Sequence, residues 1–335
     1  MKNLFLIAFL AICSCASYNV PSADSPNKDI PPNTSLAVVD LNGNFYPDNW
    51  RTEIGPQKRK SSLFLTAQAN GDLDKLRNFE TKKLAEYRKN VSDKKRVFIF
   101  VHGYNNDAKK AKRNYDLLRT KININQASDE VIEFYWDGLV SKDPVGSSKI
   151  WFNAVGYSQM AGEWALRKII NQIYNKDIYI ISHSRGASVV LSALSNPPYD
   201  PNFRNATESL GIAVDNPVPL SENNNKIVSI MLAPAIGQID FKMDDNYNKF
   251  RSFSNQLKSI NITVNKNDPA LNKYVGLADK FNETTLGRDR TDFDNLNKHY
   301  GIMTLTNFDG QKDHSFTTYI NNVKFKKMVE NYIKR

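Results

Sequence analysis

Short, largely apolar segments alternate along this chain with longer stretches whose apolar residues recur at helical spacing, and that alternation is its tightest folding constraint. The short segments are Val97–Val101 (VFIFV), Val131–Trp136, Ile178–Ile181 (IYII), Ile227–Leu232, Ile260–Val264 and Ile302–Leu305. A strand with little or no polar face must be covered on both sides, which is the condition inside a parallel sheet. Asp107–Lys121, Ala154–Tyr174, Arg185–Leu194 and Ser315–Tyr332 are the predicted intervening helices. The predicted class is therefore α/β, a mostly parallel central sheet with helices on both faces and right-handed crossovers. With 335 residues, 41% apolar and 24% charged, the chain suits one large domain of this kind or two small ones. Upstream, Leu36–Val39 and Leu63–Leu65 read as strands and Asp72–Lys89 as a helix. Residues 35–90 are accordingly read as an N-terminal extension packed on a main domain over 91–335.

One junction carries chemistry. Ser182-His183-Ser184-Arg185-Gly186 directly follows IYII and opens a predicted helix. As a bare string the pattern is common, but between a strand and a helix it has the setting of a nucleophile elbow. Such a turn lifts the Ser184 hydroxyl above the sheet and requires small residues two positions away on each side. Gly186 meets the requirement, and Ser182 stands where glycine is usual. The Arg185 backbone N–H points into the same space at a helix N-terminus, where developing negative charge is favoured. VFIFV leads into His102-Gly103-Tyr104. Gly103 permits a close turn, the N–H of Tyr104 is the second candidate oxyanion donor, and His102 orients the loop without carrying protons.

The stretches VHGYNND, Tyr135-Trp136-Asp137-Gly138, SHSRGA and Asp313-His314-Ser315-Phe316 together resemble the α/β-hydrolase superfamily, most closely its bacterial lipase/esterase-like branch, over residues 91–335. The resemblance implies a triad in the order Ser, Asp or Glu, His. Of the four histidines, His102 and His183 precede Ser184. His299 stands on the entering side of the last strand and reads as a structural or surface residue. His314 follows that strand at the ligand-binding end and is the implied base. The implied acid is Asp268, in the loop after Ile260–Val264. Asp240, after Ile227–Leu232, is the alternative, and an ordinary Asp-Pro turn is the plain reading of Asp268. The implied activity is a serine hydrolase acting on an acyl bond, a carboxylic ester first, through an acyl-enzyme on Ser184. The alternative is a catalytically inactive module for binding or envelope assembly. No cofactor or metal is expected, since helix-spaced histidine pairs, cysteine clusters and glycine-rich phosphate loops are missing from the sequence. The long connections Asp137–Trp151 and Pro269–Lys298 border the expected site. Trp136, Trp151 and Tyr104 either line an acyl pocket or pack in the core. The Arg185 side chain meets either an anionic substrate group or a protein carboxylate.

The N-terminus reads as processing sequence. Met1-Lys2-Asn3 precedes an apolar run, Leu4–Ile12, too short to span a bilayer. The following Ser14-Cys15 resembles the lipobox of bacterial lipoproteins, which implies a signal peptide over 1–14, lipidation of Cys15, and a tether over 15–34. Cys13 and Cys15 are the two cysteines, so one remains after cleavage and no internal disulfide forms. The expected setting is the cell envelope, with a membrane anchor and a small-molecule or lipid acyl substrate. The net charge is +10, with basic runs at 58–60, 94–96 and 324–327. These are solvated faces, or they attract an anionic membrane surface. No nucleic-acid-binding motif accompanies them, and no nucleic-acid partner is expected.

Overall fold

The computed structural model describes residues 30–46, 63–138, 140, 154–196, 218–242, 249–271 and 284–333. The strands are β1 (Thr34–Val38), β2 (Arg96–Val101), β3 (Asp129–Tyr135), β4 (Asp177–His183), β5 (Ser195–Asn196), β6 (Lys226–Leu232), β7 (Ser252–Phe253), β8 (Leu257–Val264) and β9 (Met303–Asn307). The helices are α1 (Leu63–Asn70), α2 (Leu73–Val91), α3 (Ala108–Ile122), α4 (154–170), α5 (Gly186–Leu194), α6 (Arg290–Tyr300), α7 (Phe316–Asn321) and α8 (Val323–Tyr332). Seven strands form one sheet in the order β1-β3-β2-β4-β6-β8-β9. Every pairing in it is parallel. The small strands β5 and β7 pair antiparallel beside it.

The apolar runs explain the layering. Side chains alternate between the faces of a strand, so an all-apolar run needs cover on both. Val97, Ile99 and Val101 of β2 join one core layer, and Phe98 and Phe100 join the other. Ile178 and Ile180 of β4 divide from Tyr179 and Ile181 in the same way. The first layer is closed by α2, α4, α5 and α6, and the second by α3, α7 and α8. Burying one such side chain fully contributes about 2 kcal/mol.

The strand order places the site. From β2 the chain enters α3 on one face; from β4 it enters α5 on the other. β2 and β4 are neighbours, so their carboxyl ends flank the point where the winding direction switches, and a crevice opens there.

Several local expectations are corrected. Leu63-Phe64-Leu65 opens helix α1 and is not a strand. A short apolar run has no period of its own, and the decision comes from Asp40, whose carboxylate accepts the Leu63 N–H at 2.8 Å, 23 positions away. The predicted helix 315–332 is two helices, because Asn322 turns extended and its side chain caps α8 at the Lys324 N–H. The connection 269–298 contains most of α6. Within the predicted N-terminal extension, β1 pairs with β3 and forms one edge of the sheet. Cys15, the tether through residue 29, the basic run 58–60 and Trp151 lie outside the described residues.

Candidate active site

Ser184 sits in the turn from β4 to α5 with a φ of +53°. A left-handed serine costs on the order of 1–3 kcal/mol, so the surroundings must hold it. Its N–H donates to the Leu232 carbonyl at 3.0 Å. Its own carbonyl accepts from Ala187 at 3.1 Å and Ala235 at 3.2 Å. Two glycines make the turn possible. A Cβ on Gly186 would lie 2.5 Å from the His102 carbonyl oxygen, and one on Gly103 would lie 2.7 Å from the Ser184 Cβ. The two loops therefore meet backbone to backbone at the crevice.

The loop after β2 is tightly braced. The His102 N–H donates to the Tyr115 hydroxyl at 2.9 Å, and that hydroxyl donates to the Phe134 carbonyl at 2.7 Å. The Trp136 indole donates to the His102 carbonyl at 2.6 Å and lies parallel to the imidazole. Asn106 donates to the carbonyls of Gly103 and Tyr104. Burial drives the pKa of His102 down to about 4, so the ring is neutral near pH 7. Tyr104 is half-buried against the first core layer, and Trp136 is fully enclosed as a brace for this loop. Arg185 is the N-cap residue of α5, and the first N–H groups of a helix have no partner within it.

His314 lies between β9 and α7, 130 positions after Ser184. Its Nε2 is 2.8 Å from the Ser184 Oγ. Its Nδ1 is 3.0 and 2.9 Å from the two carboxylate oxygens of Asp268. Asp268 follows β8 and is fully buried. Its Oδ1 also accepts from the N–H groups of Ala270 and Leu271, and its Oδ2 from the Tyr319 hydroxyl at 2.9 Å. Burial alone pushes this carboxyl up. The hydrogen bond and charge of His314, with Tyr319 and the Leu271 N–H, outweigh it and hold the pKa below the ordinary carboxylate value. The acid is thus ionised and can accept the imidazole Nδ1–H. That tautomer leaves Nε2 as an acceptor for the serine proton.

The remaining sequence candidates lie elsewhere. Asp240 faces the Arg185 guanidinium at 3.2 Å and accepts the Gly237 N–H. Arg185 also donates to the Ala235 carbonyl and is buried, so its side chain is committed to the protein. His299 is on α6, stacked on Phe250. Sequence reasoning missed Tyr319 and the contact of His183 with His314. The His183 Nε2 meets the His314 backbone carbonyl at 2.8 Å, and its ring stacks on Phe316. Nothing in the local pattern announces either contact. Adjacency of His183 to Ser184 was the one available signal.

Compared with known protein families, residues 78–282, more than half of the chain, match the one described as alpha/beta hydrolase of unknown function (DUF900). That span holds Ser184 and Asp268 and ends before His314. No curated protein matches the chain.

Proposed function

The chain belongs to this family of alpha/beta hydrolases of unknown function, and from that premise we propose that it is a serine hydrolase cleaving an acyl bond, a carboxylic ester first. The single observation that carries the reading is the unbroken line Ser184 Oγ, His314 and Asp268, joined at 2.8 and 2.9 Å.

In the proposed reaction the Ser184 oxygen bonds to the acyl carbon while its proton passes to His314 Nε2. Asp268 holds the ring and stabilises the imidazolium. The N–H groups of Tyr104 and Arg185 face the resulting oxyanion, and losing one such donor costs about 3 kcal/mol of barrier. The carbon–oxygen bond to the alcohol breaks, and the alcohol leaves with the proton from His314. Water then gives a proton to His314 and its hydroxyl to the acyl carbon, and the carboxylic acid departs as Ser184 regains its hydrogen. The proposed residence is the cell envelope, through a lipid on Cys15. Among the described residues no helix is long and apolar enough to cross a membrane.

The test is p-nitrophenyl ester hydrolysis across acyl chain lengths, with fluorophosphonate labelling, for the parent and Ser184→Ala. The parent is expected to label at Ser184, and the variant to lose activity by about 10³-fold or more. Unchanged hydrolysis by the variant, or a parent that never labels, overturns the reading and leaves the binding-module alternative.

A further inference from the structure

We infer that His183 is a positioning residue for the base: its side chain grips the backbone of His314 and sets where that imidazole stands over Ser184. The inference rests on the serine-hydrolase reading and adds a residue to its machinery.

The geometry is a grip from two adjacent positions. Ser184 Oγ meets the His314 ring at Nε2, and the preceding residue, His183, meets the His314 carbonyl, both at 2.8 Å. Asp268 holds the remaining ring nitrogen. One loop residue is therefore held at its main chain and at both nitrogens of its side chain. Asp268 selects the tautomer, and Asn265 and Lys266 tie the loop upstream of His314 at Gln311 and Asp309. The bond from His183 to the carbonyl of His314 itself fixes the main chain next to the ring, and the end of β4 is a rigid point to hold it from.

The chemistry of the contact is one-way. A carbonyl oxygen only accepts, so His183 Nε2 carries the proton and donates. Its Nδ1 is then a bare acceptor, buried and without a hydrogen-bond partner among the described residues. A ring charged on both nitrogens would bury a donor there with nothing to receive it. Phe316 stacks on the ring with centroids 4.8 Å apart, and the Tyr319 ring lies tilted to it at 6.4 Å. The titratable groups facing His183 are His314 and Tyr319 from the loop and α7, His102 from the loop after β2, and Lys110 from α3. Burial first, and then the charge of His314, holds the His183 pKa well below the ordinary value. A neutral neighbour suits the reaction. The His314 ring, with its centroid 4.9 Å away, becomes cationic in each acyl transfer, and a second cation would oppose it.

The test compares His183→Gln, whose Nε2 reaches about as far as the imidazole Nε2, with His183→Phe, which keeps the stack and loses the donor. The readouts are the labelling rate of Ser184 by a fluorophosphonate and the separate kcat and KM for a p-nitrophenyl ester. His183→Phe is expected to lose about 10- to 100-fold in kcat and in labelling rate, with KM nearly unchanged. His183→Gln is expected to recover most of that loss. Thermal melts identify a variant that fails to fold. If His183→Phe does so, His183→Asn, whose amide falls short of the carbonyl, takes its place in the comparison. A donor-lacking variant that labels as fast as the parent overturns the inference. So does a folded His183→Gln as impaired as the donor-lacking variant. A parent that does not label at all is a different result: it removes the serine-hydrolase reading itself, and this inference with it.

Discussion

His102 shows how one residue can tie the site to the stability of the whole chain. Its ring is enclosed between Trp136 and the Tyr115–Tyr135 pair, and its Nδ1 donates to the Gly103 carbonyl at 2.8 Å. The unfolded imidazole titrates at 6.5 and the folded one at about 4. Between those values the unfolded chain binds more protons, so stability is full above pH 6.5 and falls as the pH drops towards 4. The loss from this group alone is on the order of 3 kcal/mol. His183, also held neutral by burial, adds to the slope in the same direction. His102→Asn keeps a donor towards the Gly103 carbonyl and does not titrate. Urea unfolding from pH 7 to pH 4 is expected to show a shallower loss for this variant. Parallel curves for variant and parent would contradict the assignment of the buried neutral ring.

At the scale of elements, the position of Ser184 depends on how α4 meets α5. Residues Ala161–Leu166 of α4 are π-helical, and Gly162 lies within that turn. A Cβ there would stand 2.4 Å from the Val189 carbonyl oxygen and 2.7 Å from the Ser192 Cβ, both on α5. Arg167, one turn on, is buried and donates to the carbonyls of Ser192, Ala193 and Ser195, closing the carboxyl end of α5. The widened turn thus seats the helix that begins just after Ser184. Glycine to alanine inside a helix ordinarily stabilises by about 1 kcal/mol. Here the packed backbone reverses the sign, and Gly162→Ala is expected to destabilise by roughly 1–3 kcal/mol. A thermal melt decides it, since a raised midpoint would mean that the two helices do not meet as closely as described.

For the whole molecule, the strand order gathers groups that lie far apart in the chain. Parallel strands all point their carboxyl ends one way, so the loops after β2, β4, β8 and β9 converge above one edge. That end carries Gly103, Ser184, Asp268 and His314. The proposed anchor belongs to this scale as well, because it would hold the entire protein at a membrane through residue 15. Its motive is the apolar run Leu4–Ile12 ending at Ser14-Cys15. Cys15→Ser is expected to move the protein from the detergent-extracted membrane fraction to the soluble one. Unchanged fractionation would exclude lipidation at that cysteine.

The amino-acid sequence by itself determined the α/β class, because strands such as VFIFV and IYII admit only two-sided burial. It also marked Ser184, since a strand, a sharp turn and a helix are encoded within a few neighbouring residues. The order of motifs pointed to His314 and kept Asp268 and Asp240 both in play. Only the tertiary structure put Asp268 beside His314 and Asp240 beside Arg185, because a place after a strand does not record where the sheet delivers the loop. It alone turned Leu63 into a helix start, brought Tyr319 to the Asp268 carboxylate and closed His183 on His314. Those contacts link positions 23 to 131 residues apart. Local periodicity records how a segment buries its own side chains, and it carries no record of which distant segment completes the burial.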